Sequence, residues 1–105
     1  MNKELSSVEN DIFSLLKGVI DPELMVNIVD LGLVYDVSVE EKNNSVIINM
    51  TLTSPGCPMG DAIQTDVKEI VISNYKDYNV NINLVWSPPW NQEMISDKGR
   101  EALGH

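Results

Sequence analysis

Apolar residues recur along the chain in two periods, and the switches between them mark out the elements. Val8, Ile12, Leu15, Leu16 and Val19 repeat at helical spacing behind Ser6 and Glu9, a pair that reads as an N-cap with its capping-box glutamate. This predicts a first helix with Glu9, Asn10, Ser14 and Lys17 on its solvated face and Gly18 near its end. From Leu33 the period drops to two: Leu33, Tyr35, Val37 and Val39 alternate with Val34, Asp36, Ser38 and Glu40, as in a strand with one wet face. Turn residues at 41–45 lead into a β-branched run at 46–52, so the two strands read as a hairpin.

Helical spacing returns with Ile63, Val67, Ile70 and Val71, predicting a second helix that starts near residues 59–61. Strict alternation then resumes over residues 79–86, with Val80, Ile82, Leu84 and Trp86 on one face and asparagines on the other. A strand, a helix and a strand of these lengths imply a right-handed crossover, which makes the third strand parallel to the second. The expected fold is a two-layer α/β (α+β) domain over residues 1–105. Its small three-stranded mixed sheet, an antiparallel hairpin plus one parallel strand, is covered by helices. A last helical segment at 92–103 is expected to break where Ser96 caps a new turn, and Gly99 weakens it by up to about 1 kcal/mol relative to alanine.

Three connections interrupt these patterns. Asp21-Pro22-Glu23-Leu24 suits a single helical turn capped by Asp21, which brings Asp21 and Glu23 together. Asp30-Leu31-Gly32 makes a second turn. Ser54-Pro55-Gly56-Cys57-Pro58 joins the second strand to the second helix, so the only cysteine in the sequence stands before a helix N-terminus, a setting that favours thiolate. Trp86 and Trp90, either side of Ser87-Pro88-Pro89, read as core and lid packing, with a peptide-docking surface as the alternative.

Charge narrows the chemistry. A net charge of −9 argues against nucleic acid and anionic lipid as partners, whose phosphates need a basic patch. No apolar run approaches the roughly 20 residues that span a bilayer, no export signal opens the chain, and one cysteine forms no internal disulfide, so a cytoplasmic location is expected. The single histidine, His105, ends the chain, which leaves no Ser-His-Asp or Cys-His arrangement and no histidine-based metal site. What remains is Cys57, the carboxylates of Asp21 and Glu23, and the hydroxyls of Thr51, Thr53 and Ser54. From spacing alone the two acids read as capping and solvation.

The segments Asp21-Pro22-Glu23-Leu24, Asp30-Leu31-Gly32-Leu33-Val34-Tyr35, Thr51-Leu52-Thr53-Ser54-Pro55-Gly56-Cys57-Pro58 and Trp86-Ser87-Pro88-Pro89-Trp90 occur together and in order. In this the chain resembles the SufT/PaaD-like family, with its iron-sulfur cluster assembly domain-like fold. The resemblance implies an accessory factor in iron-sulfur protein maturation with no established reaction. Its partners would be the iron-sulfur assembly machinery and client apoproteins. Carried over by motif, the family's site falls on Asp21, Glu23, Thr53, Ser54 and Cys57, and Cys57, Asp21 and Glu23 are the candidate metal ligands.

The helix terminus favours the Cys57 thiolate by about 0.3–2 kcal/mol, whereas one unpaired carboxylate about 5 Å away opposes it by roughly 3 kcal/mol at an effective dielectric near 20. A protonated thiol is therefore expected until a cation joins the site. A [2Fe–2S] or [4Fe–4S] cluster takes four cysteine-type ligands, so no cofactor is expected in the isolated chain. A transient cluster or iron would be shared with a partner or across a homodimer. The competing expectations are an enzyme with Cys57 as nucleophile and an acid as base, and a non-catalytic adaptor.

Overall fold

The computed structural model describes residues 6–53 and 60–104. Ser54, Cys57 and His105 lie outside the described residues.

Helix α1 spans Ser7–Leu16 and is closed at its start by the capping box: the Glu9 N–H donates to Ser6 Oγ while the Ser6 N–H donates to Glu9 Oε1. The expectation that Glu9 belongs to a solvated face is corrected here. Glu9 is only 6% exposed, and its second oxygen, Oε2, accepts the Val39 N–H at 2.8 Å. One carboxylate thus caps a helix and covers a backbone donor of the first strand, which removes the cost of burying either donor unpaired.

Strands β1 (Val34–Glu40) and β2 (Ser45–Met50) pair antiparallel, joined by a 3₁₀ turn at Glu41–Asn43 and a left-handed Asn44. Helix α2 (Gly60–Asn74) returns the chain to β3 (Asn79–Leu84), which pairs parallel with β2, giving the sheet order β1-β2-β3. The mixed three-stranded sheet of the sequence reading is what forms. Val46, Ile48 and Met50 on β2 face the helices and pack with Ile12 and Leu16 of α1 and Ile63, Val67 and Val71 of α2. Alternate residues of β2 and β3 face away from the helices, where Asn83 Nδ2 donates to Asn49 Oδ1 at 3.2 Å. Tyr75, just past α2, ties that helix to α1 by donating its hydroxyl to Asp11 Oδ2, and this bond raises the phenol pKa to about 12.

The C-terminal segment breaks as expected into a 3₁₀ turn at Gln92–Met94 and a short helix α3 at Asp97–Ala102, with Ser96 Oγ accepting the Gly99 N–H. The role of Gly99 differs from the expected one. A β-carbon there would stand 2.7 Å from Ile95 Cγ2 and 2.9 Å from the Asp30 carbonyl oxygen, so glycine is what lets α3 approach the 27–32 loop. Trp86 also departs from a packing role: it is 43% exposed.

Candidate functional site

The Asp21-Pro22-Glu23-Leu24 turn forms as the sequence suggests. Asp21 is 3% exposed, and its Oδ1 accepts the N–H groups of Glu23 (2.8 Å) and Leu24 (3.0 Å), while its carbonyl accepts the Met25 N–H at 2.7 Å. Asp21 satisfies the donors of a tight turn in the manner of a helix cap. Its second oxygen has no hydrogen-bond partner among the described residues. The Glu23 side chain is exposed.

Asp21, Glu23 and Leu24 line one side of a pocket of about 300 Å³, and Thr53 lines it as well. Thr53 is the last described residue before the segment that carries Ser54 and Cys57. Of the expected site residues, then, Asp21, Glu23 and Thr53 share a cavity, while Ser54 and Cys57 lie outside the described residues. Thr51 is fully buried beneath, where its backbone N–H donates to the Leu33 carbonyl at 2.8 Å.

The far wall is what the sequence reading missed. It comes from the C-terminal segment: Trp90, Gln92, Ile95, Arg100 and Leu103. Arg100 is held by its own neighbours, with Nε donating to the Ile95 carbonyl (3.3 Å) and Nη2 to the Gln92 carbonyl (3.2 Å). A guanidinium therefore lines the same cavity as two carboxylates, a charge of opposite sign absent from a balance struck between the acids and a helix end. In sequence Arg100 sits on a short polar helix and resembles any surface arginine. The usable signal was Gly99 beside it, because a glycine inside a helix is a cost that a close approach of another segment explains.

This wall is fastened by the Asp30-Leu31-Gly32 motif. Trp90 Nε1 donates to the Leu31 carbonyl at 2.7 Å, and the Ser96 N–H donates to the Asp30 carbonyl at 2.7 Å. Asp30 uses its side chain as well: Oδ1 accepts from Ser96 Oγ (2.9 Å) and Oδ2 from Asn27 Nδ2 (2.7 Å). Tyr35 adds a further tie by donating its hydroxyl to the Pro88 carbonyl at 2.8 Å. Two of the sequence motifs, one around Asp30 and one around Trp90, therefore act on each other and build the cavity rather than supply reacting groups.

The bond from Asn27 holds the Asp30 carboxyl below its usual 3.8; burial opposes the shift, and Ser96, Lys17 and Lys98 add to it. A carboxyl depressed in the folded state contributes stability that is present above pH 3.8 and is lost as pH falls through its folded value. Asp30→Asn should accordingly be less stable than wild type in urea unfolding at pH 7. The gap should narrow as the pH is taken below 3.8. A gap that stays constant down to about pH 2.5 would mean that the charge of Asp30 contributes nothing.

The family described as iron-sulfur cluster assembly protein matches residues 9–84, from α1 to the end of β3. A Fe-S protein maturation auxiliary factor from Porphyromonas gingivalis is 42% identical over 104 residues, covering 99% of this chain and 98% of the relative. The Fe-S protein maturation auxiliary factor SufT of Staphylococcus aureus is 46% identical over 86 residues, 82% of this chain and 97% of the relative. A crystal structure of a domain of unknown function from Bacillus anthracis superposes with a TM-score of 0.88 at 48% identity, covering 93% of this chain and 92% of that one. The family match ends before Trp90 and Arg100, so the far wall of the pocket lies beyond it.

Proposed function

This chain belongs to the family of iron-sulfur cluster assembly proteins, and from that premise we propose that it is an accessory factor in iron-sulfur protein maturation working through an acidic thiol site. The observation that carries the reading is the meeting of Asp21, Glu23 and Thr53 in one cavity, with Cys57 four positions further along the chain. Curated relatives named as Fe-S protein maturation auxiliary factors, at 42% and 46% identity, support the role. Its partners are then the assembly machinery and client apoproteins, and its place is the cytoplasm, where those apoproteins are made.

Iron or a cluster is cargo in this account. The donor set suits brief custody: two carboxylate oxygens are hard ligands, one thiolate is soft, and a cluster asks for four cysteine-type ligands. The remaining ligands come from the donor or acceptor protein, which makes release part of the design. Arg100 works in the same direction. A guanidinium lining the same pocket as the carboxylates weakens their hold on a second cation and leaves the pocket with one net negative charge instead of two.

The thiol reports this coupling. Alkylation of Cys57 followed against pH should give a thiol pKa about one unit lower in Asp21→Asn, where an opposing charge is gone, and higher in Arg100→Gln, where a supporting charge is gone. A thiol pKa unmoved in both variants would remove Asp21 and Arg100 from the site. A second reading, that the protein is an adaptor, draws on two exposed apolar side chains, Met25 at 73% and Trp86 at 43%. Met25 adjoins Leu24 at the pocket, so a client docked on the thiol site would cover it.

A further inference from the structure

The two edges of the sheet are treated differently. On the outer edge of β1, the Val39 N–H is met by Glu9 Oε2. On β3 the ladder to β2 uses odd-numbered residues: the Asn79 N–H donates to the Asn44 carbonyl and the Val85 N–H to the Met50 carbonyl. The N–H and C=O groups of Val80, Ile82 and Leu84 therefore point to the outer edge, where no described residue pairs with them. Open edges are commonly blunted by a charge or a proline. The β3 sequence, Asn-Val-Asn-Ile-Asn-Leu, has neither, in a chain of net charge −9.

A groove of about 400 Å³ runs beside this edge, with Asp61, Gln64, Thr65 and Lys68 of α2 on one side and Asn81 and Ile82 on the other. The charges in it are arranged in a self-complementary way. Asp61 and Lys68 flank Gln64 and Thr65 symmetrically along α2, and the groove they line is closed on the strand side by Asn81 and Ile82, the latter the middle of the three residues whose backbone groups point outward.

We propose that β3 pairs antiparallel with β3 of a second copy about a two-fold axis at Ile82, extending the sheet to six strands. Ile82 then faces Ile82 of the other copy, and Val80 faces its Leu84. Each outward N–H meets an outward carbonyl, as in any antiparallel ladder. On the open face Asn81 of one copy stands opposite Asn83 of the other, the same amide pairing that Asn83 already makes with Asn49. Along the helices, the axis brings Lys68 of each α2 to Asp61 of its mate. Two copies that repel overall thus meet along an uncharged strand flanked by opposite charges, and an isologous contact is what this symmetry specifies. The inference stands apart from the proposed function: it uses neither Cys57 nor the pocket.

The test is sedimentation of the full chain from low micromolar to several hundred micromolar, with Lys68→Glu, Asp61→Lys and their equimolar mixture. Wild type should dimerise with concentration. Each single variant, which places like charges together at both ends of the contact, should dimerise at least about tenfold more weakly. The mixture should recover the dimer, because a heterodimer of the two variants restores both pairings. Both substitutions are at exposed positions, so folding is not at stake. Ile82→Pro, which removes an outward N–H without touching the ladder to β2, should also be monomeric. A wild type that stays monomeric throughout would overturn the proposal, as would single variants that dimerise like wild type or a mixture no better than its components.

Discussion

Gly32→Ala should lose about 3 kcal/mol or more of unfolding free energy, measured by urea denaturation at pH 7. Two causes add. Gly32 has φ of +80°, where an L-residue is strained by about 1–2 kcal/mol. Its added β-carbon would also stand 2.4 Å from the Met94 carbonyl oxygen and 2.8 Å from Met94 Cβ, so the backbone at Met94 would have to move. That backbone is pinned on both sides, by Trp90 to Leu31 and by Ser96 to Asp30, and it cannot yield without breaking one of these bonds. Gly104→Ala is the control for strain alone, since Gly104 has φ of +83° with nothing within 4 Å of its β-carbon position. If Gly32→Ala were no more costly than Gly104→Ala, the close contact between the loop and the C-terminal segment would be wrong.

That contact also marks the limit of what could be read along the chain. The strands and the long helix were legible because burial on one face imposes a period, and Val37, Ile48, Val67 and Val80 sit where that period puts them. Ser6 and Ser96 were legible because capping is a local exchange between a hydroxyl and a backbone donor three residues on. The far wall of the pocket was not. Trp90 finds the Leu31 carbonyl across 59 residues and Ser96 finds Asp30 across 66, and nothing periodic announces such pairings. Glu9 was misread for the same reason. Its capping role is local and was seen, whereas its bond to Val39, 30 residues away, depends on how α1 lies against the sheet. In the candidate site, the acids and Thr53 were named from motifs, but Arg100 came into view only when α3 folded back over them.

The second large effect concerns Cys57. Serine in its place keeps the size of the side chain and removes the soft, ionisable donor, leaving the carboxylates of Asp21 and Glu23 with hydroxyls alone. Carboxylates as a class prefer hard cations to iron held with sulfur. Loss of the thiol should therefore abolish custody of the cargo while leaving intact the fold and the surfaces a client would touch. Among metal sites even the loss of an outer partner costs about 10–100-fold, so removal of a ligand should cost at least as much. Asp21→Asn should fall between Cys57→Ser and wild type, because it alters the field at the thiol without removing it.

The most direct measurement is the activity of an iron-sulfur client enzyme in cells that lack this protein, complemented with wild type or with Cys57→Ser at matched abundance. The account predicts that wild type restores the client and that Cys57→Ser leaves it below about a tenth of the restored level, while the purified variant unfolds at the same urea concentration as wild type. Full restoration by Cys57→Ser would contradict it, and the protein would then act through its surface alone.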